Sequence, residues 1–166
     1  MADSVVCRDS NQNDIKPGDI LKFQREAFFH YAVYIGEGMV VHQTCDQGVL
    51  KQSLGDVIQQ CSFYIDNSLD LEISPKTRTQ IVSDALSRVG RRGYHILTSN
   101  CEHFATWCRN GQARCKQIGE KIKQGVISVS SAGPGSVSSS SSKGSDVAAA
   151  DVFCMGCTSV SKAKQQ

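Results

Sequence analysis

Two runs of aromatic and β-branched residues flank Gly36-Glu37-Gly38. His30-Tyr31-Ala32-Val33-Tyr34-Ile35 precedes it and Met39-Val40-Val41-His42-Gln43-Thr44 follows it. Such a pair about a short glycine-bearing loop is the signature of a β-hairpin. Strand side chains alternate between faces, so the loop length decides which residues point the same way. With Gly36-Glu37-Gly38 as a three-residue loop, Ile35 faces Met39 and paired positions sum to 74. His42 then lies opposite Ala32 and His30 opposite Thr44. Both histidines share one face as diagonal neighbours, about 7–8 Å apart at the backbone. A two-residue loop would change the sum to 75 and put them on opposite faces.

The hairpin fits a mixed domain. Lys16-Pro17-Gly18-Asp19 is a turn that launches Ile20-Leu21-Lys22-Phe23 as a strand, and Cys61 to Ile65 reads as another. Ser74 as N-cap and Pro75 at the first helical position open a helix. Its apolar positions Ile81, Val82, Ala85, Leu86 and Val89 recur at helical spacing up to Gly90. Tyr94 to Leu97 reads as a short strand. Ser99 or Asn100 caps a second helix that ends at Asn110-Gly111, and a polar third helix is expected from Cys115 to Gly125. From Ser128 to Ser145 serine and glycine dominate, with five consecutive serines at 138–142. That segment holds too little apolar surface to offset chain entropy and is expected to be disordered. The fold class expected is α+β, an antiparallel sheet packed on helices. Its boundaries are an extension over 1–14, a domain over 15–112, a polar helical extension over 113–127 and a Ser/Gly-rich tail over 128–166.

Composition narrows the function classes. A net charge of +2 is too small to argue for nucleic acid. No uninterrupted apolar run reaches the length of a membrane span. The N-terminus lacks a basic region followed by an apolar stretch, so no signal peptide is expected, and Ala2 excludes N-myristoylation. The eight cysteines (7, 45, 61, 101, 108, 115, 154 and 157) are therefore expected to be reduced thiols. Cys154-Met155-Gly156-Cys157 is the single C-x-x-C and has no second pair to complete a zinc site.

One cysteine differs in position. In Ser99-Asn100-Cys101-Glu102-His103-Phe104, Ser99 and Glu102 have capping-box spacing and Asn100 is the alternative cap. Either choice puts Cys101 in the first turn of a helix, where unpaired N–H groups and the dipole favour a thiolate. The same N–H groups could hold a developing oxyanion. Phe104, Trp107 and Cys108 follow at spacings that bury one helix face, and Cys101 could simply join it. A nucleophilic thiol needs a base. His30 and His42, on one hairpin face opposite a helix that begins with cysteine, would form a Cys–His–polar triad in which one imidazole takes the thiol proton and the other orients it. His103, two positions after Cys101, points elsewhere and suits a capping role, and His95 has no evident partner. Metal binding by His30, His42 and Cys101 is the alternative use of the same residues.

These motifs resemble the LRAT-domain family, which includes lecithin:retinol acyltransferase and the small phospholipase A/acyltransferases. The resemblance rests on Lys16-Pro17-Gly18-Asp19, His30-Tyr31-Ala32-Val33-Tyr34-Ile35-Gly36, Val40-Val41-His42 and Asn100-Cys101-Glu102-His103-Phe104, in that order. It covers roughly residues 15–112. It implies a circularly permuted papain-like domain with Cys101 as nucleophile, His30 as general base and His42 as orienting member. The implied reaction is attack of Cys101 on a phospholipid ester, giving an acyl thioester that passes to water, to a phosphatidylethanolamine amine or to a lysophospholipid. No cofactor and no metal are implied. The implied partners are phospholipids met through peripheral membrane contact from the cytoplasm, with no nucleic acid. Small members of the family commonly end in an apolar anchor helix, whereas this chain ends in the serine-rich stretch and Cys154 and Cys157, whose acylation could supply an anchor. The rival readings are a thiol peptidase or amidase on the same scaffold, and a non-catalytic interaction protein.

Overall fold

A computed structural model describes residues 6–95 and 97–127. The serine-rich stretch, Cys154 and Cys157 lie outside the described residues. Five strands form one antiparallel sheet: β1 (Ile20–Gln24), β2 (Phe29–Gly36), β3 (Met39–Thr44), β4 (Gly48–Ser53) and β5 (Phe63–Ile65), in the order β4-β3-β2-β1-β5. The helices are α1 (Leu54–Ile58), α2 (Arg78–Ser87), α3 (Cys101–Asn110) and α4 (Lys116–Lys123), with a 3-10 turn at Ser68–Leu71. The architecture is the expected mix of an antiparallel sheet and helices. Among the described residues no helix is long and apolar enough to cross a membrane.

The hairpin shows why its parity holds although its loop does not. Gly36 pairs with Met39, which leaves a two-residue turn rather than the expected three. Glu37 and Gly38 both have positive φ (53° and 68°), as a type I′ turn requires. A register shift between Tyr34 and Gly36 inserts one extra residue, so the body of the ladder returns to Ala32 opposite His42 and Val33 opposite Val41. The bulge restores the face assignment that the shorter loop would have reversed. Tyr34 Oη accepts from the Gly38 N–H at 3.0 Å and ties the turn to the strand.

Each sheet face has its own core. The odd-numbered residues Tyr31, Val33, Val41 and Val49 join Ile20 beneath α2 and α3, against Ile81, Ala85, Cys101, Phe104, Ala105 and Cys108. The even-numbered Ala32, Tyr34 and Val40 join Leu21 and Phe23 on the other face, closed by Ile15, Leu54, Val57 and Phe63. His30, opposite Phe23 in β1, and His42, opposite Ala32, belong to this even face.

The first long helix begins later and ends earlier than its periodicity suggests. Thr77, not Ser74, is the N-cap, its hydroxyl accepting from the Gln80 N–H. The Lys76 N–H is already bound to the Arg109 carbonyl at the end of α3 (2.8 Å), which keeps Lys76 out of the helix. At the other end the Gly90 N–H and the Arg91 carbonyl pair with Val49, so helical bonding stops at Ser87. Ile81 and Ala85 are fully buried, whereas Leu86 and Val89 are exposed rather than core. Among the described residues of the expected 94–97 strand, His95 forms a bridge with Ser99.

The floor of α3 is an ion cluster. Arg109 grips Asp70 through Nε (2.9 Å) and Nη2 (2.6 Å) and donates from Nη1 to the Gly18 carbonyl (2.7 Å). Asn110 adds a bond to Asp70 and one to the Ile73 carbonyl. The C-terminus of α3 is thereby fixed to the start of β1, and its N-terminus carries Cys101.

Candidate active site

Cys101 is the first residue of α3, and Asn100 caps it. The Asn100 side chain accepts from the Glu102 and His103 N–H groups at 3.0 and 3.1 Å, while His103 Nδ1 accepts the Asn100 N–H. Of the two caps the sequence offers Asn100 is the one used, and His103 rather than Glu102 closes the capping box. His103 thus has the capping role its position suggests. Two N–H groups that could have served an oxyanion are engaged by the cap.

Glu102 has a different task that the sequence does not reveal. It is 3% exposed, and its carboxylate accepts the Lys116 N–H (2.8 Å), the Gln117 N–H (3.4 Å) and the Cys115 thiol (2.9 Å). Cys115, the N-cap residue of α4, offers no side-chain cap bond, and Glu102 supplies one from the neighbouring helix. Burial and the adjacent Glu102 carboxylate push the Cys115 thiol up to about 12, which keeps it protonated. Burial drives the Cys108 thiol higher still.

The histidine pair is closed and directional. His30 and His42 are each 5% exposed. His30 Nε2 lies 2.7 Å from His42 Nδ1, with the rings edge to face, and His42 Nε2 lies 2.6 Å from Gln52 Oε1. Gln52 sits in β4 opposite Val40, which places it on the same even face as His42. Nothing in the sequence pattern singled it out. Burial holds His30 well below the ordinary histidine range, reinforced by His42 and Arg25. Burial lowers His42 too, against an opposing hydrogen bond to Gln52. Both rings are neutral at pH 7, the form a general base needs. Arg25 is held at the C-terminus of α1, donating to the Val57 and Ile58 carbonyls and to Cys61 Sγ.

The body of α3 covers the odd-numbered sheet face, not the face that carries the histidines. Cys101 meets β2 at its first residue, where Sγ is 4.0 Å from the Phe29 carbonyl, directly before His30 in the chain. Gln117 Nε2 donates to the same carbonyl at 3.2 Å. Phe29 borders a cleft of about 310 Å³ formed by the β1–β2 turn and α4. Ser99, His103 and Phe104 border a second, of about 350 Å³, with Gln43, Trp107 and three arginines. His95 stays exposed and pairs with Thr98. Among the described residues no group of three or more His, Cys, Asp or Glu side chains is placed to hold a metal ion.

The family model described as lecithin retinol acyltransferase matches residues 13–114. Human phospholipase A and acyltransferase 4 is 34% identical over 137 residues, covering 70% of this chain and 84% of the relative. Human phospholipase A and acyltransferase 3 is 32% identical over 139 residues, covering 72% and 83%. Mouse phospholipase A and acyltransferase 1 is 27% identical over 135 residues, covering 70% and 80%. The chain belongs to the lecithin retinol acyltransferase family, among relatives named phospholipase A and acyltransferase.

Proposed function

We propose that the chain is a cysteine-dependent phospholipase A1/A2 and acyltransferase, with Cys101 as nucleophile, His30 as general base and His42 as the residue that orients it. The observation that carries this reading is the His30–His42–Gln52 hydrogen-bond chain across β2, β3 and β4, with the Cys101 thiol beside the Phe29 carbonyl that precedes His30. Histidine strands before a cysteine helix is the order this reading expects of a circularly permuted papain-like thiol hydrolase. On this reading Cys101 approaches His30 around the start of β2, where its Sγ lies 4.0 Å from the Phe29 carbonyl.

In the proposed cycle His30, neutral at working pH, takes the Cys101 proton as sulfur attacks the ester carbonyl of a phospholipid. The resulting imidazolium is steadied by His42. The tetrahedral intermediate collapses, His30 returns the proton to the departing glycerol oxygen, and a lysophospholipid leaves an acyl thioester on Cys101. Water, activated by the same histidine, completes hydrolysis. The amine of phosphatidylethanolamine gives an N-acyl lipid instead, and a lysophospholipid hydroxyl gives O-acyl transfer. The site is reached by peripheral contact with a lipid surface on the cytoplasmic side.

The test is incubation with labelled phosphatidylcholine and phosphatidylethanolamine vesicles, wild type beside Cys101→Ala. Free fatty acid or N-acyl lipid that depends on Cys101 supports the reading. Equal turnover by the two proteins would remove it.

A further inference from the structure

The polar chain behind the thiol does not end at His42. Gln52 Oε1 stands 2.6 Å from His42 Nε2, and a carbonyl oxygen can only accept a hydrogen bond. His42 Nε2 therefore carries the proton. A neutral imidazole has one N–H, so His42 Nδ1 is a lone pair, and it faces His30 Nε2 at 2.7 Å. That contact is a hydrogen bond only if His30 Nε2 carries its proton. The remaining lone pair of His30 is then on Nδ1, the nitrogen turned away from His42.

We propose that Gln52 is a positioning residue that fixes the tautomers of both histidines, so that His30 presents the Nδ1 lone pair as the proton acceptor for Cys101. The inference rests on the catalytic reading of Cys101 and His30 given above and extends it by one residue. The reversed chain shows what this amide orientation excludes. If His42 carried its proton on Nδ1, it would donate to His30 Nε2, and neutral His30 would hold its proton on Nδ1 with no lone pair left for the thiol. In that arrangement the Gln52 amide would have to turn over and donate from Nε2 to His42 Nε2, the reverse of the orientation it holds here. The register supports a built contact: Gln52 pairs with Val40, one diagonal step from His42, so the sheet itself sets the separation. The charged and titratable groups acting on the pair are Arg25 from the β1–β2 turn, which lowers both rings, and Asp46 from the β3–β4 turn, which raises His42.

Two variants separate acceptor from filler. Gln52→Met keeps the length and apolar contacts but cannot accept strongly, whereas Gln52→Glu can only accept. With phosphatidylcholine vesicles, Gln52→Met should lower kcat roughly 10- to 100-fold with KM little changed, the usual size of an effect that orients a neighbouring group. Gln52→Glu should stay within a few-fold of wild type, and its added negative charge should move the acidic limb of the kcat profile up by about one pH unit. Wild-type kcat in Gln52→Met, or equal impairment of both variants, would overturn the proposal. Nitrogen-15 spectra of the wild-type imidazoles decide it without turnover. Protonated Nε2 and unprotonated Nδ1 on both His30 and His42 are expected, and a protonated Nδ1 on His42 refutes the assignment. Unchanged turnover in Cys101→Ala and His30→Ala would instead sink the catalytic reading, leaving the tautomers to be judged by the spectra.

Discussion

Replacing Arg109 with alanine removes the clamp beneath the helix that carries Cys101. The guanidinium is 7% exposed, makes a two-point contact with Asp70 and is bonded to the Gly18 carbonyl. Losing one partner of a buried ion pair costs roughly 3–5 kcal/mol. The Asp70 side chain is 25% exposed and keeps its bond from Asn110, which places the loss at the lower end. The orphaned Gly18 carbonyl adds a further penalty, and because the two effects share one side chain they do not sum fully, so about 3–4 kcal/mol is expected in all. Arg109→Lys keeps the charge but cannot serve both acceptors, and should cost roughly 1–2 kcal/mol. Urea unfolding followed by the fluorescence of Trp107, the single tryptophan and a neighbour on α3, measures both. Although burial pushes Asp70 up, Arg109 and Asn110 outweigh it and leave the carboxyl below its usual 3.8. A depressed carboxylate pKa stabilises the fold above the unfolded value and loses that contribution as pH falls through the folded one. The advantage of wild type over Arg109→Ala should therefore be full at neutral pH and shrink below 3.8. A loss under about 1 kcal/mol at pH 7, the range of an ordinary surface pair, would show that Arg109 does not clamp the helix.

The other predictions concern the cap, the turn and the histidines. Glu102→Ala leaves three donors at the start of α4 without their acceptor and should cost about 2–3 kcal/mol, with faster amide exchange in 116–123 than in α3. Gly48→Ala should lose at least about 2 kcal/mol in the same urea assay, because φ is +82° and a Cβ there runs into the Arg91 carbonyl. With His30 and His42 held neutral, the unfolded chain binds more protons below the ordinary 6.5. Stability should fall as pH drops from there, and His30→Asn should flatten that slope.

Much of the site was legible because its signals are local. The period of two in His30–Ile35 and Met39–Thr44 placed both histidines on one face, and the S/N-x-x-E/H cluster placed Cys101 in a first turn. What was missed depends on distant partners. The bulge at Ile35 leaves no mark in composition, so the loop length was misjudged although the parity survived. The strand Gly48–Ser53 mixes glycine, lysine, glutamine and serine, and its pairing with β3 exists only through tertiary contact. Ser74-Pro75 is a sound helix start in isolation, yet Lys76 is drawn to the end of α3. Gln52 and Glu102 act across 10 and 14 positions, beyond any spacing rule.

In the proposed cycle Cys101 carries the acyl group. Rapid-quench intact-protein mass spectrometry during turnover of phosphatidylcholine vesicles, followed by peptide mapping, addresses it directly. One acyl chain on Cys101 is expected, released by hydroxylamine, absent from Cys101→Ala and depleted in His30→Ala. Turnover with no adduct in wild type and undiminished in Cys101→Ala, or acylation confined to another cysteine, would contradict it.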